Sequence, residues 1–169
     1  MSASRTAAGA AGRASAGGGR SGGGAAPAWV WLAALALAVA GLGVAVYLTV
    51  EHYTAATTLA CPERGTVNCQ KVTTSAQSRF LGVPVAVWGL SYFVGMVALN
   101  LPWAWRARRP AVRWGRLAAA TGGVLFVFWL LYAELFVIDA ICLWCTAVHV
   151  LAVALFAVVA LGTASTAEF

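Results

Sequence analysis

The sequence predicts an all-α fold: a polytopic membrane protein in which four transmembrane helices form one bundle, with an outer-face cysteine loop and a short interfacial helix. Three observations carry this expectation. The chain is 62% hydrophobic and only 9% charged, whereas a soluble domain is about half apolar and about a quarter charged. A soluble fold of 169 residues cannot hide that much apolar surface, so the solvent must be lipid. The apolar residues also fall into four runs separated by short polar segments, and the arginines cluster in some of those segments and not in others. The net charge of +6 therefore reports topology. No basic face is interleaved with base-stacking aromatics, which argues against a nucleic-acid partner.

Residues 1–27 are rich in Gly, Ala and Ser, with Arg5, Arg13 and Arg20 and no acid. Such a segment cannot bury a core and is expected to be a disordered cytoplasmic tail. The membrane domain is expected over residues 28–163. Its first span, about Trp29 to Val50, reaches ~33 Å at ~1.5 Å per residue, enough for a hydrocarbon core of ~30 Å. The run is too long for a secretory signal and is expected to remain as an anchor. A polar loop follows over residues 51–82 and holds Cys61 and Cys69. Val83-Pro84 is expected to open the second span, ending near Trp103, since Pro is tolerated in a helix's first turn. The preceding Phe80-Leu81-Gly82-Val83 is read as the short helix in the membrane surface. The third span is about Leu117 to Ile138, and a very short turn around Asp139 leads into the fourth, about Ile141 to Leu161. Residues 164–169 form a second cytoplasmic tail.

Orientation follows from the positive-inside rule. The N-terminus and residues 104–116 together carry eight arginines, whereas the 51–82 loop has Arg64, Arg79 and Lys71 and the turn at Asp139 has none. Both termini are thus expected in the cytoplasm and all four cysteines at the outer face, with Trp103, Trp105 and Trp114 at the inner interface. Gly41, Gly43, Gly89, Gly122 and Gly123 are expected to let helices approach closely.

Cysteines on an outer face lie where disulfides persist, so two structural disulfides are one reading. Zinc ligation by the cysteines, with or without His52 and His149, is a second; the Cys61–Cys69 spacing is wide for it, and an oxidising compartment disfavours thiolate ligands. Cys142 and Cys145 favour a third. A Cys-x-x-Cys pair opening a helix has its thiolate stabilised by exposed N–H groups and the helix dipole. It closes too small a loop to be a useful staple. Asp139 is expected to cap that helix. Glu134 in the third span and His149, one turn beyond Cys145, are ionisable groups within the membrane and hence candidate site residues. Trp88, Trp129 and Trp144, with Phe126, Phe128 and Phe136, are read mainly as packing, one or two of them lining a ligand.

At these residues the sequence resembles the vitamin K epoxide reductase family in its bacterial branch. The text that carries the resemblance is Val46-Tyr47-Leu48-Thr49, Cys61-Pro62, Asn68-Cys69-Gln70-Lys71-Val72 with Ser75, Gly82-Val83-Pro84-Val85-Ala86-Val87-Trp88-Gly89-Leu90, and Ile141-Cys142-Leu143-Trp144-Cys145. It extends over about residues 30 to 160. The resemblance implies a four-helix membrane bundle around a quinone, capped by the cysteine loop, acting as a quinone-reducing, disulfide-generating oxidoreductase. Cys61 and Cys69 would shuttle electrons to Cys142, with Cys145 facing the quinone. Ser75, Val85, Trp88, Glu134 and His149 are the candidate quinone-site residues, with no metal. The implied partner is a DsbA-like thioredoxin-fold protein, expected as a separate chain. Menaquinone is preferred to ubiquinone, on the Ala, Gly and Arg richness of the chain. Vertebrate members carry Tyr where this chain has His149. A DsbB-type bundle does similar chemistry, but places its Cys-x-x-Cys in the first outer loop. The alternative from another class is a non-catalytic four-span protein whose cysteines form two structural disulfides.

Overall fold

The computed structural model describes residues 27–54, 60–61, 64–107 and 109–165. The expected tails, up to residue 26 and from residue 166, lie outside the described residues, as do Pro62, Glu63 and Arg108. The first helix, α1, is Ala28–Thr54. It extends one turn past Val50, because Glu51 and His52 continue the helix. Its buried residues are Val30, Ala34, Ala38, Gly41 and Ala45, a stripe of small side chains at helical spacing, as membrane helices use for close packing. The other face exposes Trp29, Leu32, Val39, Val46 and Val50, the pattern of a helix turned toward lipid.

The loop holds α2, Cys69–Thr73, whose N-cap Asn68 accepts a hydrogen bond from the Lys71 N–H at 2.7 Å. A short 3₁₀ turn, Ala76–Ser78, leads into a two-stranded hairpin, β1 Arg79–Phe80 and β2 Val83–Pro84. The stretch expected to be a surface helix at 80–83 is this hairpin. Leu81 and Gly82 both have positive φ, 53° and 80°, the backbone of a tight primed turn, which matches the twist of paired strands. The short helix of the loop is α2.

Pro84 is consequently the N-cap of α3, Val85–Asn100, and not part of the helix. Helix α4, Pro102–Arg106, begins after Leu101 breaks the chain into extended backbone. Helix α5, Pro110–Tyr132, has Pro in its first turn and continues as a π-helical turn, Ala133–Ile138. It starts seven residues before the expected Leu117 and thereby takes in Arg113 and Arg116. Arg116 is buried: its guanidinium donates to the Leu99 carbonyl at 3.3 Å, at the C-terminus of α3, and lies 3.4 Å over the Trp105 ring. A carbonyl left free at a helix end and an aromatic face satisfy the cation there. Helix α6 is Leu143–Ser165.

Helix α1, the continuous stretch Pro110–Ile138 and α6 are each long and apolar enough to cross a membrane, and α3, at 16 residues, is the shorter fourth apolar helix. This is a polytopic, all-α membrane bundle. Its core draws on all four, with Ala34, Ala38, Phe93, Met96, Ala120, Val127, Leu155 and Val159 among the buried residues. Helix α1 packs closely on α3 and α6, and α5 on α6, while α3 and α5, the fourth neighbouring pair, pack more loosely. That looser seam opens into the cavity described below.

Of the glycines expected at close approaches, Gly41 and Gly123 are such positions; a Cβ at Gly43, Gly89 or Gly122 would meet nothing within 4 Å among the described residues. A Cβ at Gly41 would overlap the ring of Phe93, which is fully buried and has nowhere to move. Gly41→Ala is therefore expected to cost about 1–3 kcal/mol, the usual range for overpacking. Thermal unfolding of the purified variant in detergent measures it, with Gly43→Ala near wild type as the comparison.

Candidate active site

Helix α6 begins one residue later than Cys142. The Cys142 carbonyl accepts the Thr146 N–H at 2.8 Å, and its sulfur accepts the Cys145 N–H at 3.2 Å. Cys142 is thus the N-cap of the helix, its sulfur taking the place a Ser or Asp oxygen commonly occupies. Asp139, expected in that role, is instead exposed and ends the π-helical turn in the left-handed region, φ 52° and ψ 48°. A hydrogen bond from the Cys145 thiol is the main influence holding the Cys142 thiol below its ordinary range, with backbone N–H groups of Cys145 and Trp144 assisting; burial and the Glu134 carboxylate oppose it. A helix N-terminus favours the anion in the same sense.

The cysteine loop is docked on this helix start. Val67 forms a parallel bridge with Ile141: the Asn68 N–H donates to the Ile141 carbonyl at 3.1 Å and the Ile141 N–H to the Thr66 carbonyl at 2.9 Å. Lys71 Nζ adds a bond to the Asp139 carbonyl at 3.5 Å. Cys69, two residues after Val67, and Cys142, directly after Ile141, enter one buried cluster with Val72, Ile138 and Ala140. Cys61, Trp144 and Cys145 pack against it. Cys61 and Cys69 are joined by a disulfide, and Cys142 and Cys145 are free thiols.

Below the loop lies a cavity of about 980 Å³, bounded by the hairpin, α1, α3, α5 and α6. Ser75, Val85, Trp88, Glu134 and His149 all line it, and so does Cys145, while Cys142 does not. The five differ in what they offer. Ser75 Oγ donates to the Val72 carbonyl at 2.7 Å and Trp88 Nε1 to the Phe80 carbonyl at 3.2 Å, so both donors are engaged within the protein. Val85 is wall. Glu134 and His149 are both 4% exposed. The Glu134 carboxylate accepts the Cys142 backbone N–H, and His149 Nδ1 has no hydrogen-bond partner among the described residues. Of the six aromatics weighed from the sequence, Trp88 and Phe126 line the cavity, as do Phe80, Tyr92 and Phe93, whereas Phe128 and Phe136 point outward, 63% and 74% exposed.

Residues 29–160 match the family model described as "Vitamin K epoxide reductase family". The chain belongs to the vitamin K epoxide reductase family. Membership makes it a multi-pass membrane thiol oxidoreductase, of a family whose members generally use quinones and thioredoxin-fold partners.

Within this family member, several contacts at the site had no sequence signal of their own. Tyr47 Oη accepts the Ala60 N–H at 3.3 Å, Trp144 Nε1 donates to the Ala60 carbonyl at 3.1 Å, and the two rings meet at 5.0 Å between centroids. They clasp the residue before Cys61 from α1 and α6. Phe80 packs on Phe126, Trp129 and Trp88, which seats the hairpin over the cavity mouth. The sequence names these residues; only long-range pairing assembles them.

Proposed function

We propose that the protein re-oxidises a DsbA-like thioredoxin-fold partner and so supports disulfide formation in exported proteins. Electrons pass from the partner to Cys61/Cys69, then to Cys142/Cys145, and then to quinone. The observation that carries this reading is that Cys69 of the Cys61–Cys69 disulfide and Cys142 share one buried cluster, beside a Cys145 that opens on the cavity. Exchange needs a thiolate placed against a disulfide sulfur. A pair of plain staples has no reason to bring two cysteine pairs together or to leave one of them as thiols.

The cavity fits a quinone. Its walls are mostly apolar and it is of ligand size, as binding sites require. The unpartnered His149 Nδ1 is suited to a carbonyl oxygen or its proton. Bound there, a quinone supplies an acceptor for two electrons and two protons. Cys142 holds its sulfur at the helix N-terminus, the walls are mostly apolar, and Cys145 presents its sulfur to the cavity. Ser75, its proton engaged with the Val72 carbonyl, would accept from a hydroxyl of the quinol product, and Val85 and Trp88 serve as walls. Menaquinone is the quinone we favour. Reduction of a soluble menaquinone or ubiquinone analogue by the purified protein, with a reduced thioredoxin-fold protein as donor, tests the function; no reduction of either would defeat it.

The same reading places both termini in the cytoplasm and the cysteines outside. A reporter enzyme fused after Phe169 is expected to be active only in the cytoplasm. Activity of that fusion outside would reverse the orientation.

A further inference from the structure

We infer that Glu134 is the proton carrier between the cysteine pair and the quinone, an inference that rests on the quinone reading above. Four observations converge on it. Glu134 is almost fully buried. It sits in the π-helical turn Ala133–Ile138, a local widening that proteins often place at functional sites. Its carboxylate takes the backbone N–H of Cys142 and lies in electrostatic contact with both Cys142 and Cys145. It also lines the cavity that Cys145 and His149 line. One side chain therefore borders the thiols and the acceptor space at once, and a carboxyl can give and take a proton at both.

The chemistry needs such a group. When Cys142 and Cys145 go from dithiol to disulfide, two S–H bonds break and one S–S bond forms; two electrons and two protons pass to the quinone, giving the quinol. Cys142 does not line the cavity, so its proton cannot go to the acceptor directly. Glu134 takes the proton of Cys145 and releases it into the cavity, then does the same for Cys142. Water is a poor substitute across an apolar wall. The other ionisable groups around the cavity are Glu51 and His52 on α1, Arg79 in the hairpin, Tyr92 on α3 and His149 on α6. Glu134 alone among these hydrogen-bonds a residue of the cysteine pair.

Glu134→Gln separates this role from a structural one, since the amide oxygen still accepts the Cys142 N–H but carries no exchangeable acid proton. Site-resolved alkylation of Cys145 in the reduced full-length protein, without quinone, is expected to follow pH in two steps in wild type and one in Glu134→Gln, as coupled groups titrate jointly. Quinone reduction is expected to fall about 100-fold or more, the scale of general acid–base catalysis. Glu134→Asp, which keeps a carboxyl, is expected to restore the two-step profile even if the Gln variant packs poorly. A Gln profile identical to wild type overturns the inference, and so does a one-step profile with undiminished quinone reduction. If wild type shows two steps but reduces no quinone, the proposed function fails while the coupling of Glu134 to the thiols stands.

Discussion

Cys142→Ser and Cys145→Ser are each expected to reduce quinone reduction to background, whatever thiol donor is supplied. Cys142, at the helix N-cap, is the sulfur of the core pair buried within the cluster that holds Cys69, and Cys145 is the one that opens on the cavity. Neither route has a second sulfur to replace the one lost, so the two single variants should be equally inactive, as for residues that act as a unit. Cys61→Ser and Cys69→Ser should behave differently. Each breaks the route from a protein partner, yet each also removes the disulfide that covers Cys142, so a small dithiol can reduce the core pair directly and sustain part of the activity. Quinone reduction measured with both donors for all four variants decides the matter. Equal loss of the small-dithiol activity in all four would mean that the two pairs are wrongly assigned.

Trapping a mixed disulfide is the second large effect expected. In Cys145→Ser, Cys142 cannot be released by its neighbour, and the adduct with the attacking loop cysteine should accumulate. Cys69 is the expected partner. It is fully buried in the same cluster as Cys142, while Cys61 is only packed against that cluster. The Val67–Ile141 bridge holds the Cys69 arm to the chain just before Cys142. Among the described residues, the Cys61 arm is held through Ala60 by the side chains of Tyr47 and Trp144, and it is the arm we take to meet a soluble partner. In-line attack needs this kind of fixed approach. Peptide mapping of the trapped species should recover Cys69 linked to Cys142; a dominant Cys61–Cys142 peptide would reverse the order of exchange.

The fold was legible in the sequence wherever one solvent preference acts along a continuous stretch. Apolar runs of about 20 residues can only be spans. Boundaries were less legible, because they depend on what an end residue finds in space. Arg113 and Arg116 read as loop cations, yet α5 includes both, and Arg116 is buried where the α3 terminus and Trp105 happen to meet it. Phe80–Val83 reads as an apolar surface helix; instead Leu81 and Gly82 take the positive φ of a tight turn between the paired Phe80 and Val83, and Phe80 packs on Phe126 and Trp129.

Sequence alone determined that this chain lies in lipid, that its cysteines fall into a loop pair and a helix-opening pair, and that Glu134 and His149 are ionisable groups within apolar segments, because composition, spacing and hydropathy are properties of the chain itself. The tertiary structure alone decided that Cys142 caps α6 in place of Asp139, that the loop docks through Val67 and Ile141, and that Cys145, Glu134 and His149 border one cavity. Those facts depend on which backbone N–H groups and side chains of distant segments meet. Hydrogen bonds and packing between residues up to 84 positions apart, as from Trp144 to Ala60, leave no local pattern from which to read them.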